Sequence, residues 1–205
     1  MNYLVIDTSF LFINIYIVKN DKVMKEYNLK VEKDMSNKIL PLLRKSLSEL
    51  DMSISDINKI FITIGPGSFT GVRIGLTVTK IICWGLNIPL IPISTLEYLA
   101  SSSNLSKDKI RPIIDARRGN VFTALYNQNL DILEEEKIIS FEKLEIKEDV
   151  DLVSYDGTNN SIISNVDIVK IINKHINDTP VNPHTLAPNY LKKTEAEEKF
   201  NGSRN

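Results

Sequence analysis

The chain has 205 residues, of which 42% are hydrophobic and 25% are charged, and its formal net charge is −1. This length allows one domain of ordinary size or two small ones, and it is sufficient to bury a core without disulfides or a structural metal. The single cysteine, Cys83, excludes a disulfide framework, a CxxC redox pair and a cysteine-based zinc site, as is typical of a reducing compartment. The near-zero charge argues against free-standing nucleic-acid binding, because phosphate neutralisation usually needs a clearly basic surface.

The N-terminal segment favours a cytoplasmic location. Residues 1–7 carry no basic region, and the apolar stretch near them is interrupted by Asp7 and Asn14. Neither a signal peptide nor a membrane span fits this pattern. We therefore predict a cytoplasmic protein that does not associate with membranes.

The first half of the chain predicts a sheet with flanking helices. In chain order the elements are strands over 3–6, 10–18 and 22–31, a helix over 36–50, a strand over 59–64, a helix over 69–86, a strand over 89–93 and a short helix that ends near residue 100. The first three strands form an antiparallel meander, and the segment 59–93 is a parallel βαβ unit. We expect Ser36 or Asn37 to cap the 36–50 helix, with Pro41 in its first turn or at a kink.

The second half repeats the opening pattern of the first. Strands over 111–116 and 121–126 flank a turn, a helix follows over 162–176, and a polar tail begins after Lys192. Each half starts with a strand, an aspartate and a turn, Ile6-Asp7-Thr8 and Ile114-Asp115-Ala116. We therefore predict two related subdomains, residues 1–100 and a reduced 105–205, joined by the polar stretch 101–104. The order of elements in the first half is that of a ribonuclease H-like core.

The segment 65–75, with the sequence GPGSFTGVRIG, is the most informative motif. A glycine-rich turn between a strand and a helix presents free N–H groups and the positive end of the helix dipole, which suits a phosphate. A P-loop, however, needs a Lys-Ser/Thr pair after its last glycine, and here Val72-Arg73 follows Gly71. The dinucleotide fingerprint also fails, because Gly67 and Gly71 are one residue too far apart. These departures favour a structural turn.

The helix after this turn carries small residues on one side. Gly71, Gly75, Thr79 and Cys83 recur every fourth residue, and such a stripe lets another helix approach closely. That neighbour is either the 36–50 helix of the same chain or a helix of another protein, and the sequence leaves both open. The other sides are apolar too, which is typical of a helix that is central in its fold or shared with a partner. We predict that the stripe forms a partner interface together with Ile39 and Leu43.

Five segments resemble the TsaB family, a subunit family of the bacterial tRNA threonylcarbamoyladenosine machinery. They are Ile6-Asp7-Thr8, the 65–75 segment, Ile93-Ser94-Thr95-Leu96, residues 115–122 (DARRGNVF) and residues 188–192 (PNYLK). The resemblance implies an α/β actin-like ATPase fold of two ribonuclease H-like subdomains with mixed sheets. It also implies a subunit without activity of its own, which docks on the paralogous catalytic subunit TsaD as a heterodimer and activates it.

The same resemblance implies the remaining partners. The ATPase TsaE joins TsaB and TsaD in a larger complex, and tRNA is contacted through that complex. ATP and metal are then expected on the partner subunits, and this chain holds no cofactor of its own. Whether the chain forms a homodimer when alone stays open.

An autonomous actin-like ATPase or kinase is the first alternative. Such an enzyme places two carboxylates across a cleft to hold hydrated magnesium beside a nucleotide. Asp7 and Asp115 match in position, with Thr8 and Arg117 beside them. Neither aspartate is followed by the Gly-x-Thr/Ser of a phosphate loop, so we favour turn-capping roles for both.

A peptidase is the second alternative, and the sequence argues against it. The chain has no HExxH motif and no histidine near a plausible serine nucleophile, and Cys83 lies in the middle of an apolar helix. The two histidines, His175 and His184, are nine positions apart and separated by prolines. We therefore expect no metal site and place both histidines at the surface.

A local group of basic residues stands out in this balanced chain. Its members are Lys107, Lys109, Arg111, Arg117 and Arg118. We expect these side chains to be solvated, and any peripheral contact with tRNA phosphates would fall here.

Overall fold

The structure, a computed structural model, describes residues 1–191, which form two five-stranded sheets with helices. The strands are β1 (Asn2–Asp7), β2 (Phe12–Lys19), β3 (Lys22–Lys30), β4 (Lys59–Thr63), β5 (Leu90–Ile93), β6 (Lys109–Asp115), β7 (Asn120–Asn127), β8 (Ile132–Ser140), β9 (Val150–Ser154) and β10 (Ile162–Ile163). The α-helices are α1 (Met35–Ser48), α2 (Phe69–Leu86), α3 (Thr95–Ala100) and α4 (Ile168–His175).

Both sheets have the same strand order. In the first sheet β1 pairs antiparallel with β2 and parallel with β4, and β3 and β5 form the edges. In the second sheet β6 takes the place of β1, with β7 and β8 on its antiparallel side and β9 and β10 on its parallel side. This repetition confirms the predicted α/β fold of two related ribonuclease H-like subdomains with mixed sheets. Asp7 and Asp115 therefore end equivalent strands.

The first sheet is covered on both faces. Leu4 and Ile6 of β1 face the core that contains α1 and α2, whereas Tyr3 and Val5 face the space between the two sheets. The helices α3 and α4 lie in that space and pack against both sheets. Since both faces of β1 are buried, its sequence is a continuous hydrophobic run rather than an alternating one.

The two long helices differ in how they begin. The hydroxyl of Ser68 accepts a hydrogen bond from the backbone N–H of Gly71 at 3.2 Å and caps α2, whose predicted bounds are confirmed. The expected cap of α1 is wrong, because the helix begins at Met35, after Asp34 in a left-handed conformation with φ 62°, and no side chain caps it. Pro41 lies inside this helix.

The second half departs further from the sequence prediction. The prediction of one helix over 162–176 is wrong, because this segment contains the short strand β10, a connection and α4. The carboxylate of Asp167 caps α4 by accepting a hydrogen bond from the N–H of Lys170 at 3.0 Å. The acidic run Glu134-Glu135-Glu136 lies in the edge strand β8, and β9 was not predicted. The charged residues of β8 and the short length of β9 give weak strand signals. Each strand depends on pairing, β8 with β7 and β9 with β6.

The last described segment, residues 178–191, returns to the first subdomain, and we call it the C-terminal strap. The N–H of Val181 donates to the carbonyl of Leu90 at 3.0 Å, and the N–H of Asn189 donates to the carbonyl of Ile64 at 2.7 Å. Lys80 of α2 donates to the carbonyl of Leu186 at 2.7 Å. The predicted range 105–205 assigned this segment to the second subdomain, whereas its backbone pairs with the first. The predicted tail after Lys192 lies outside the described residues.

Candidate functional site

A cleft of about 560 Å³ opens between the two subdomains. It is lined by Phe10 and Leu11 after β1, by residues 65–70 of the loop and first turn of α2, by Asp115 and Arg117 at the end of β6, and by residues 188–191 of the strap. The ends of the equivalent strands β1 and β6 therefore meet near this cleft. The alternative of an autonomous ATPase would place Asp7 and Asp115 across this cleft from each other.

Asp7 is fully buried, and its two oxygens accept hydrogen bonds from four residues. The amide of Asn14 and the hydroxyl of Tyr155 each donate to Oδ2 at 2.8 Å. The hydroxyl of Thr63 donates to Oδ1 at 2.6 Å, and Ser9 donates to the same oxygen from its N–H at 3.0 Å and from its hydroxyl. A carboxylate has about four lone-pair sites, so these donors leave none for the water of a hydrated cation.

Tyr155 connects Asp7 to Phe10, which lines the cleft. Its ring stacks on that of Phe10 with centroids 4.9 Å apart and an interplanar angle of 8°. Burial raises the pKa of Tyr155 well above its usual value, which keeps the hydroxyl a neutral donor to Asp7. These residues do not fit a metal-bound nucleotide held between Asp7 and Asp115.

The four residues predicted near a nucleotide are not brought together. Asp115 and Arg117 line the cleft, whereas Asp7 and Thr8 are fully buried. The carboxylate of Asp115 accepts from the N–H of Arg117 at 2.8 Å and caps the β6–β7 turn. The hydroxyl of Thr8 donates to the carbonyl of Gly71 at 2.8 Å. The prediction that Asp7 and Thr8 lie near a nucleotide is therefore corrected, because both side chains are buried and hydrogen-bonded within the fold.

Asp7→Asn is expected to destabilise the protein by about 1–3 kcal/mol, because an amide presents one acceptor and leaves a buried donor such as Asn14 unpaired. Asp115→Asn is the matched control, since Asp115 is exposed and asparagine caps turns equally well. Urea unfolding of both variants measures the difference. Equal stability of the two variants would show that the buried network contributes nothing.

The predicted interface stripe is buried inside the chain. A Cβ atom at Gly71 would lie 2.1 Å from the carbonyl oxygen of Thr8, and one at Gly75 would lie 2.1 Å from the hydroxyl of Thr8. Thr79, Cys83, Ile39 and Leu43 are buried as well, and burial raises the pKa of Cys83 to about 12. The prediction that these six residues themselves form a docking surface is therefore corrected. The close neighbour of Gly71 and Gly75 is Thr8 after β1, and Cys83 shares a core cluster with Ile39 and Leu43 of α1.

Other apolar side chains of α1 and α2 are left exposed or partly buried, and we call Leu40, Ile74, Ile81 and Trp84 the helical face. Ile81 is 63% exposed, Trp84 61% and Leu40 51%, and Ile74 is partly buried. The sequence held a signal for this face, because α2 is apolar on more sides than one sheet can cover. An exposed apolar surface on packed helices is typical of a protein–protein contact.

The basic residues do not form one patch. Lys109 pairs with Asp149 at 2.7 Å, and the buried guanidinium of Arg111 donates twice to Glu134, at 2.7 and 3.2 Å. Arg111, with Lys137, lowers the pKa of Glu134 to about 2. Arg117 and Arg118 lie at the opposite end of β6, in the turn beside the cleft. Only this second end of the predicted cluster is exposed next to a concave surface.

His175 is not a surface residue, which corrects the sequence prediction, whereas His184 is exposed. The ring of His175 lies between two carboxylates, with Nε2 2.9 Å from Glu97 and Nδ1 2.6 Å from Asp178. Burial opposes the charged form, but the hydrogen bonds and charges of Glu97 and Asp178 outweigh it and raise the pKa of His175. Charged His175 therefore fastens the start of the strap to α3.

The free energy of unfolding is expected to fall as pH rises from 6 towards 8. The pKa of His175 is raised in the folded state above its unfolded value of about 6.5. Its contribution to the free energy of unfolding is therefore complete below about pH 6.5 and is lost as the pH rises through the folded-state pKa. Urea unfolding across this range should give a flatter profile for His175→Gln than for His184→Gln. Identical slopes in the two variants would contradict this role of His175.

The duplicated strand order and the cleft between its halves define an α/β protein of the actin-like, ribonuclease H-like class. A solved structure of YeaZ from Pseudomonas aeruginosa shares this fold, with a TM-score of 0.78 at 19% identity over 93% of this chain and 99% of that one. The family model described as tRNA N6-adenosine threonylcarbamoyltransferase, TsaD, matches residues 28–173.

Sequence relatives identify the branch within this class. The chain is 31% identical over 150 residues to the tRNA threonylcarbamoyladenosine biosynthesis protein TsaB of Buchnera aphidicola subsp. Schizaphis graminum, covering 70% of this chain and 71% of that protein. It is 41% identical over 135 residues to TsaB of Bacillus subtilis, covering 66% of this chain and 59% of that protein. The chain belongs to the TsaB family. It spans less than two thirds of the Bacillus subtilis relative.

Proposed function

We propose that this chain is the non-catalytic TsaB-type subunit of the complex that forms threonylcarbamoyladenosine in tRNA. It docks on the paralogous threonylcarbamoyltransferase subunit TsaD through the helical face and supports the activity of that subunit. TsaE joins the larger assembly, and ATP and metal are held by the partner subunits. The proposal places the complex in the cytoplasm, where tRNA is modified.

The observation that carries the docking role is the poor burial of an apolar helix. The helix α2 is long enough to cross a membrane and has a mean hydropathy of 1.2. Only 33% of this apolar helix is buried within the described fold. Such a composition is weak evidence for a span, because core helices of globular proteins share it. The buried side packs on the first sheet, and the exposed side contains Ile81 and Trp84. A partner that covers this side with its own helices would remove apolar surface from water.

The absence of a catalytic role is supported by the occupied carboxylate of Asp7. An autonomous ATPase or kinase needs that carboxylate for metal-bound water, and here it serves Asn14, Thr63 and Tyr155. Within residues 1–191 no group of three or more His, Cys, Asp or Glu side chains could hold a metal ion. A peptidase is disfavoured because His175 bonds to carboxylates and the Cys83 thiol is buried.

A mixing experiment with the cognate TsaD tests the proposal. Light scattering of the separate proteins and of their mixture gives the masses, and the chain alone shows whether it is a monomer or a homodimer. We expect a stable heterodimer and tRNA modification that requires both proteins, with TsaE and ATP present. Two unchanged masses in the mixture, or full activity of TsaD alone, would contradict the proposal. Nucleotide turnover by the isolated chain would instead favour the autonomous ATPase.

A further inference from the structure

An arginine packs against two aromatic rings that line the cleft. The guanidinium carbon of Arg73 lies 3.8 Å from the ring centroid of Phe69 and 5.6 Å from that of Tyr190. Its Nε donates to the hydroxyl of Tyr190 at 2.6 Å. We call these three residues the arginine–aromatic lip. The two rings come from α2 and from the strap, so the lip exists only because the strap returns to the first subdomain.

The lip is exposed, and Arg73 has further N–H donors besides the Nε that is bonded to Tyr190. Phe69 is 45% exposed and Tyr190 44%. Arg73 is exposed, its Nε is bonded to Tyr190, and no carboxylate of residues 1–191 forms an ion pair with it. A guanidinium fixed by stacking loses little side-chain entropy when it binds, and its planar fork matches the oxygens of a phosphate.

A second arginine lies on the other wall of the same cleft. Phe69 and Tyr190 line the cleft from one subdomain, and Arg117 lines it from the β6–β7 turn of the other. The acidic side chain among the lining residues is Asp115, whose Oδ1 already accepts from the N–H of Arg117. Two exposed arginines and two exposed aromatic rings at one cleft suit a chain of alternating phosphates and bases better than a compact anion.

We propose that the arginine–aromatic lip and Arg117 bind a single-stranded segment of RNA, with phosphates on the two arginines and a base against Phe69 or Tyr190. This assignment rests on the proposed function, since it names the surface by which the subunit would contact the RNA substrate. It would explain how a chain of net charge −1 contacts RNA. The positive charge is concentrated at one cleft rather than spread over a basic face.

Fluorescence anisotropy of the full chain with an oligouridylate about twelve nucleotides long, in low-salt buffer, tests the proposal. Arg73→Gln and Arg73→Lys should both weaken binding about three- to tenfold, because lysine keeps the charge but lacks the planar fork. The slope of log affinity against log salt should fall by about 1 for Arg73→Gln. Arg44→Gln, which removes an exposed arginine from α1, should leave both quantities unchanged.

Three outcomes would overturn the assignment. They are the absence of oligouridylate binding in low salt, an equal loss in Arg44→Gln and Arg73→Gln, and displacement of the RNA by ATP at the same nucleotide concentration. The last result would define a site for free mononucleotides instead. Tyr190→Leu should also weaken RNA binding, because it removes both a ring for base stacking and the hydroxyl that accepts from Arg73. None of these measurements involves TsaD, so failure of the docking proposal would be seen separately by light scattering.

Discussion

Gly75→Leu is expected to destabilise the protein by about 3 kcal/mol or more, which corresponds to a fall in Tm of roughly 6–12 °C for a chain of this size. A Cβ atom at position 75 would lie 2.1 Å from the hydroxyl and 3.2 Å from the Cβ of Thr8. Thr8 is fully buried and cannot turn away without losing its hydrogen bond to Gly71. The gain in helix propensity, about 1 kcal/mol, does not offset this clash.

Gly85→Leu is the matched control on the same helix, since a Cβ at Gly85 meets nothing within 4 Å. We expect this variant to be as stable as the unmodified chain or slightly more stable. Thermal unfolding followed by circular dichroism compares the two variants directly. If Gly75→Leu unfolds at an unchanged temperature, the close packing of α2 on the end of β1 is wrong.

Ile81→Asp is expected to abolish docking on TsaD while leaving the fold intact. Ile81 is 63% exposed, so the aspartate costs little in the free chain, but in a complex it would be buried as an unpaired charge. Loss of such a central residue is worth about 3 kcal/mol or more, which weakens binding more than about 100-fold. Titration calorimetry with TsaD measures the affinity, and Tm reports the fold.

Ile132→Asp controls for the general effect of a new surface charge. Ile132 is 52% exposed on β8, in the other subdomain and away from α1 and α2. We expect TsaD affinity to be unchanged in this variant. Unaltered affinity in Ile81→Asp would show that TsaD docks elsewhere, and an equal loss in both variants would show that the effect is not local.

Local sequence patterns predict much of this fold for a physical reason. Apolar periodicity marks α2, and the serine before it supplies the cap, so its bounds need no distant contact. The β1–β2 and β6–β7 turns are visible in the same way, and the capping geometry of Asp115 depends on Arg117, only two residues away. In contrast, β9 is held by β6, about 40 residues earlier in the chain, and the acidic strand β8 is held by pairing with β7 despite its charged residues.

The candidate sites depend far more on long-range contacts. The sequence shows that Asp7 ends a strand, but its partner Tyr155 is 148 residues away, and that contact removes the carboxylate from the cleft. The lip likewise joins Arg73 to Tyr190 across 117 residues. Such pairs form only when the strap returns to the first subdomain and the two subdomains pack together. The residues that flank each partner in the sequence give no signal of this.

The family, the α/β class with its two related halves, and the apolar positions of α2 follow from the amino-acid sequence. Which side of α2 is covered follows only from the folded arrangement of the elements. Periodicity marks small residues on one side and large apolar residues on others, but it does not say which side meets the sheet. The end of β1 decides this, because Thr8, 63 residues before Gly71, approaches so closely that only glycine fits beneath it. The small residues are therefore used inside the chain, and Ile81 and Trp84 are left outside for a partner.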